Sequence, residues 1–179
     1  MASKLEQVTS PTVEALSYIS ADSYTTDEIA EMELKVCSAL QFQLYRVTPY
    51  HFVHEFIKAA TGGETCHRKT RVLYHMTLYL LELSLLPHDL VQTSPRKICA
   101  AAVYLARVIL YGQAGWTPSL RHYTGYSNKW DLEDVVLTLY RYHAAAEESS
   151  LGAVFTKYSQ DKFDKVALKT VPLKQNLGF

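Results

Sequence analysis

Seven histidines and three cysteines are the residues of this chain best suited to metal or nucleophile chemistry. His51 and His54 stand three residues apart, and Cys66 adjoins His67. A zinc site needs three or four convergent ligands at a recognisable spacing, and no carboxylate or second Cys pair completes a set here. Scattered histidines of this kind are structural or solvated, and His75, His88, His122 and His143 read the same way. Cys37, Cys66 and Cys99 are odd in number and form no CxxC, and Cys37 and Cys99 lie in apolar helical runs. They read as buried free thiols of a reducing compartment. The alanine-rich surroundings of Cys99 favour burial over reactivity. Gly62-Gly63 end a helix instead of opening one after a strand, so they form no phosphate loop. Arg68, Lys69 and Arg71 make a small basic cluster that reads as a solvated helix start. The expectation is a chain without catalytic residues, bound metal or cofactor.

One acidic residue is out of place. In "TTDEIAEMELKVCSALQF" (residues 25–42), a helical rotation of about 100° per residue puts Ile29, Met32, Val36, Cys37 and Leu40 in one arc. Glu33 falls inside it. A carboxylate on apolar surface is costly unless it is paired or keeps its head in water. Periodicity alone favours a glutamate at the rim of a core.

The elements that must position these residues are helices. "SPTVEALSYI" offers Ser10 as N-cap and Pro11 at the first helical position. Thr25 and Glu28 form a capping box for a helix to about Leu40. Thr48-Pro49 opens a helix that stops at Gly62-Gly63. The next runs from about His67 to Leu86, before Pro87. Ser94-Pro95 starts a helix that is apolar nearly all round, which places it in the centre of a bundle. "TPSLRHYTGY" is a short helix at most. Asp131 caps a last long helix, and a short one follows near Leu151–Tyr158 before a polar tail with Pro172. The longest apolar run, Ile98–Ala106, is broken by Arg107 and too short to span a bilayer.

Composition narrows the function classes. The charged residues cancel, 18 basic against 18 acidic, whereas a nucleic-acid-binding domain usually carries a basic excess. The 13 tyrosines read as core fillers whose hydroxyls reach water or a carbonyl. A stacking surface for single strands would want interleaved Lys and Arg. Nearly half of the residues are hydrophobic (48%), which excludes disorder throughout. The expected architecture is all-α: residues 1–47 as the end of one domain, 48–150 as a five-helix domain, and 151–179 as a C-terminal helix and tail.

Three stretches carry a resemblance. "TPYHFVHEFIKAA", "GWTPSLRHYTGY" and "KYSQDKFDKVA" resemble the second cyclin box of an A/B-type mitotic cyclin. Upstream, "ASKLEQVTSPTVEALSYISADSYTTDEIAEMELKVCSALQFQL" resembles the end of the first box. The resemblance covers nearly the whole chain in order. It implies a cyclin-like five-helix second box preceded by the last helices of a truncated first box, with Met1 to Lys4 as the last turn of that box's third helix.

The resemblance also implies a function. The family's first-box lysine and glutamate fall on Lys4 and Glu33, with the aromatic after the helix at Phe42. In cyclins these contact the kinase beside its C-helix. The expected partner is therefore a cyclin-dependent protein kinase, with no small-molecule substrate, nucleic acid or membrane. The expected role is a non-catalytic regulator in cell-cycle control, mitotic in type, in the nucleus and cytoplasm. Loss of the first box's opening helices would weaken that function and leave the apolar arc of residues 26–40 open to self-association. A cyclin-fold module of the transcription-factor kind, binding DNA or protein, is the alternative, and it would need a basic groove.

Overall fold

The structure is a computed structural model that describes residues 4, 9–63, 67–112, 116–170 and 177. The predicted turn at Met1–Lys4, apart from Lys4 itself, lies outside these residues, as do Cys66 and Pro172. Among the described residues all regular structure is helical. The chain divides into two compact units between Arg46 and Val47.

The first unit holds α1 (Val13–Ile19) and α2 (Thr26–Ala39), which pack together as a hairpin. Thr12, not Ser10, caps α1: its Oγ1 accepts the Ala15 N–H at 3.2 Å. The Thr25–Glu28 capping box of α2 forms as predicted. Thr25 Oγ1 accepts the Glu28 N–H, and the Glu28 carboxylate accepts the Thr25 N–H. Ala21 and Asp22 turn the chain at positive φ, and the Ser17 hydroxyl donates to the Tyr24 carbonyl at 2.7 Å across the turn. At the far end the Phe42 N–H reaches back to the Cys37 carbonyl at 2.8 Å, with Gln41 and Phe42 both left-handed (φ 50° and 57°). That is a Schellman-type ending made without glycine.

The second unit is built around α5 (Pro95–Tyr111). Ser94 and Pro95 start it as predicted. Ile98 to Ala106 and Val108 are all buried. Four of these are alanines (100, 101, 102 and 106), whose small side chains let neighbouring helices approach closely. The neighbours are α3 (Val53–Ala60), α4 (His67–Leu83) and α7 (Glu133–Ala144), with the short α6 (Pro118–Thr124) against α3. α3 buries Val53, Phe56, Ile57 and Ala59, one stripe of a helix. It ends in a Schellman motif: Gly62 and Gly63 take φ of 63° and 80°, and the Gly63 N–H donates to the Lys58 carbonyl at 3.1 Å.

Two boundaries differ from the sequence reading. α4 stops at Leu83, three residues before the expected Leu86, and the chain unwinds through tighter turns that return Leu85 N–H to Glu82 and Leu86 N–H to Leu83. Pro87 disfavours helix at the residue before it. Asp131 does not cap α7. It is the third residue of a 3₁₀ turn (Lys129–Leu132) whose N-cap is Asn128, and its carboxylate accepts the Asn128 N–H at 3.2 Å. Downstream, α8 (Ala153–Tyr158) and 3₁₀ turns at Asp161–Phe163 and Val166–Leu168 fold back on α4. Tyr158, Val166, Ala167 and Leu177 join the core around α5, and the Tyr104 hydroxyl donates to the Leu177 carbonyl at 2.7 Å.

Candidate partner-binding site

Glu33 is not a bare charge on an apolar stripe. The Lys4 ammonium stands 2.6 Å from Glu33 Oε2. That hydrogen bond is the main reason the Glu33 carboxyl is held below its ordinary value, against a smaller opposing effect of desolvation. Its side chain is 30% exposed and that of Lys4 52%. The pair is therefore reachable from solvent.

Apolar side chains share the α2 face that carries Glu33. Of the arc residues, Met32, Val36 and Leu40 are exposed, and Ile29 and Cys37 are half-buried. The expected burial of Cys37 does not occur, because neither α1 nor α2 contributes a buried residue. Tyr24, Glu28, Ile29, Glu31, Met32 and Lys35 line an open cleft of about 530 Å³. Phe42, 64% exposed, is held out by the left-handed backbone that ends α2. A large side chain in this conformation costs about 1–3 kcal/mol.

Several of the other residues singled out in the sequence have structural roles in the second unit. His51 Nδ1 accepts the Thr48 N–H at 3.1 Å and so caps the turn that opens α3. His54 stacks on Tyr74, and His122 meets the Tyr123 ring edge-on. Cys99 is fully buried, and desolvation pushes its thiol up to about 12, far from thiolate chemistry. His143 is buried with its Nδ1 3.2 Å from the Tyr79 hydroxyl, and burial lowers it to about 4, so it is neutral near pH 7. Among the described residues no group of three His, Cys, Asp or Glu is placed to hold a metal ion. No described helix is long and apolar enough to cross a membrane.

One cluster had no sequence signal. Asp164 takes two hydrogen bonds from Arg71, at 2.7 and 3.1 Å, and lies 2.8 Å from His75 Nδ1. The Arg71 hydrogen bond is the main reason the Asp164 carboxyl is lowered. Beside it, Glu82 Oε1 accepts from Lys157 at 2.6 Å and from the Tyr158 hydroxyl at 2.7 Å. Both knots tie the segment after residue 152 to one face of α4.

The comparisons with known proteins bear on both units. The family profile described as "Cyclin, C-terminal domain" matches residues 47–172, and "Cyclin, N-terminal domain" matches residues 1–45. The chain belongs to the cyclin family. It is 34% identical over 170 residues to Cyclin-B1-1 of Oryza sativa subsp. japonica, covering 95% of this chain and 37% of that protein. It is 36% identical over 173 residues to Cyclin-A1-1 of Arabidopsis thaliana, covering 96% and 37%. Cyclin-A2-1 of Arabidopsis thaliana is 33% identical over 180 residues, covering 100% and 40%. The chain thus spans less than half the length of these relatives, and its all-α architecture is that of a cyclin fold.

Proposed function

We propose that this cyclin chain is a non-catalytic regulatory subunit that binds and activates a cyclin-dependent protein kinase in cell-cycle control, with mitosis as its phase. Lys4, Glu33 and Phe42 make the contact. The observation that carries the reading is the 2.6 Å Lys4–Glu33 pair in a stretch where Met32, Val36, Leu40 and Phe42 are all exposed. A paired carboxylate in an apolar field fits a partner that offers main-chain donors ringed by apolar side chains. Activation of this kind is differential binding: the regulator favours one orientation of the kinase C-helix, and the kinase supplies ATP, magnesium and the chemistry.

The test is a titration of the purified chain into a cyclin-dependent kinase, read as phosphate transfer to a peptide and as capture on beads. Activity should rise with added chain, and Glu33→Ala, Lys4→Ala and Phe42→Ala should each weaken capture, by about tenfold for the strongest. Activation that survives all three substitutions unchanged places the contact elsewhere. Without a kinase, the exposed side of α2 supports self-association. Sedimentation should show it growing with concentration and vanishing on addition of the kinase; a monomer at every concentration rejects it. The chain is expected in nucleus and cytoplasm, following its kinase. Microscopy of a tagged chain confined to another compartment would refute this.

A further inference from the structure

The neutral overall charge hides a division. Before Val47 the chain carries seven acidic and three basic residues; from Val47 on it carries eleven acidic and fifteen basic. Part of the basic excess is gathered on one surface of the second unit that only the folded chain assembles. Arg68, Arg71 and His75 recur at i, i+3 and i+7 along α4, so they share a face. Asp164, bound to Arg71 and His75, draws the segment 161–165 onto that face. Lys162 and Lys157 then lie over the Phe163 ring at 4.9 and 5.7 Å from its centre, and Lys165 pairs with Asp161 at 3.0 Å. Among the described residues three carboxylates meet these cations: Asp164 takes Arg71 and lies against His75, Glu82 takes Lys157, and Asp161 takes Lys165. Arg68 and Lys162 are exposed and have no carboxylate partner among the described residues.

We propose that this surface, built from the first turns of α4 and the 161–165 turn, docks an acidic extended segment of a partner protein. Its size argues for a peptide over a nucleic acid. From Arg68 to His75 the helix advances only about 10 Å, and five lysines and arginines are too few for the 6–10 phosphate contacts typical of DNA binding. The Phe163 ring is already engaged by Lys157, Lys162 and the edge of His75, which leaves no free face for base stacking. The site is separate from the kinase contact proposed on the first unit and does not depend on it.

Fluorescence anisotropy of a labelled octaglutamate peptide with the full chain tests this at about 50 mM salt, where surface charge is weakly screened. Saturable binding is expected, weakening severalfold at about 200 mM salt. Arg68→Gln with Lys162→Gln should weaken it about tenfold, while Arg121→Gln with Lys129→Gln, elsewhere on the second unit, should change it less than about twofold. Among the described residues neither Arg68 nor Lys162 holds an ion pair, and Lys162 contributes only an exposed contact with the Phe163 ring, so the first double variant should melt within a few degrees of the parent by circular dichroism. The proposal is overturned by absence of binding at low salt, by equal loss in the two double variants, or by an eight-residue oligothymidylate binding more tightly through the same two side chains.

Discussion

Met32 on α2 is 57% exposed, and Met76 on α4 is wholly buried. Both sit on capped or proline-bounded helices whose apolar residues recur at helical spacing. The two units therefore follow the same local rules and differ in what they cover. In the second unit every helix of eight residues or more presents its apolar stripe to α5 or to a neighbour of α5. In the first, α1 and α2 meet along one side, and the residues that would form a core remain at the surface. The lesson is that amphipathic spacing reports a face that will be covered, without saying by what. A stripe covered inside the same unit becomes core, and one left uncovered becomes a candidate interface.

Truncating the two faces breaks or upholds that contrast. Leu105→Ala, in the middle of α5, should cost about 2–5 kcal/mol through lost burial and the cavity left behind. Met32→Ala should cost less than about 0.5 kcal/mol. Denaturant titrations of the two variants measure both, and equal losses would mean that α2 is packed as tightly as α5.

Acid sharpens it further. His143 is lowered to about 4 from an ordinary 6.5 by burial, so folding favours its neutral form. Its contribution is complete above pH 6.5 and is lost as pH falls from there toward 4, because the unfolded chain takes up a proton that the folded chain refuses. The integrated loss is about 3 kcal/mol. His143→Gln removes that titration, so between pH 6.5 and 5, above the range in which the lowered carboxyls are protonated, the variant's stability should stay nearly flat while the parent's declines. Glu33 and Asp164 are lowered carboxyls. Their stabilisation holds at neutral pH and disappears only at lower pH, as they are protonated. An unfolding signal from the first unit should therefore be insensitive between pH 6.5 and 5.

A smaller effect comes from two of the three segments with paired left-handed residues. Gln41 and Phe42 end α2, and Asp164 and Lys165 lie in the turn that Arg71 and His75 hold. Gln41→Gly should relieve the strained backbone and stabilise the end of α2 by about 0.5–1 kcal/mol, seen as slower amide exchange there. Lys165→Gly should give a similar gain offset by loss of the exposed Asp161 pair, for a net change near zero in thermal melts.

Much of the helical order could be read directly. The Thr25–Glu28 box, Ser94-Pro95 and Gly62-Gly63 act through bonds within a few residues, and each forms where the residues stand. The centrality of α5 followed from its lack of a polar face. The errors were also local in origin: a 3₁₀ turn displaced the expected cap from Asp131 to Asn128, and Thr12 took the cap from Ser10, because several polar residues in a row compete for the same amides. At the candidate site the arc around Glu33 was visible in the sequence. That Lys4, 29 residues away, closes on it at 2.6 Å was not legible in helical periodicity, which relates only residues of one helix.

The amino-acid order alone determined the helices, the Thr25–Glu28 cap and the identity of the central helix, since hydrogen bonding and burial along one helix depend on neighbours three and four residues away. Only the tertiary structure decided which charges meet. Arg71 and Asp164 are 93 positions apart, and no periodicity links residues joined through a folded chain. It likewise decided that the apolar side of α2 stays open, because exposure depends on everything else that packs nearby.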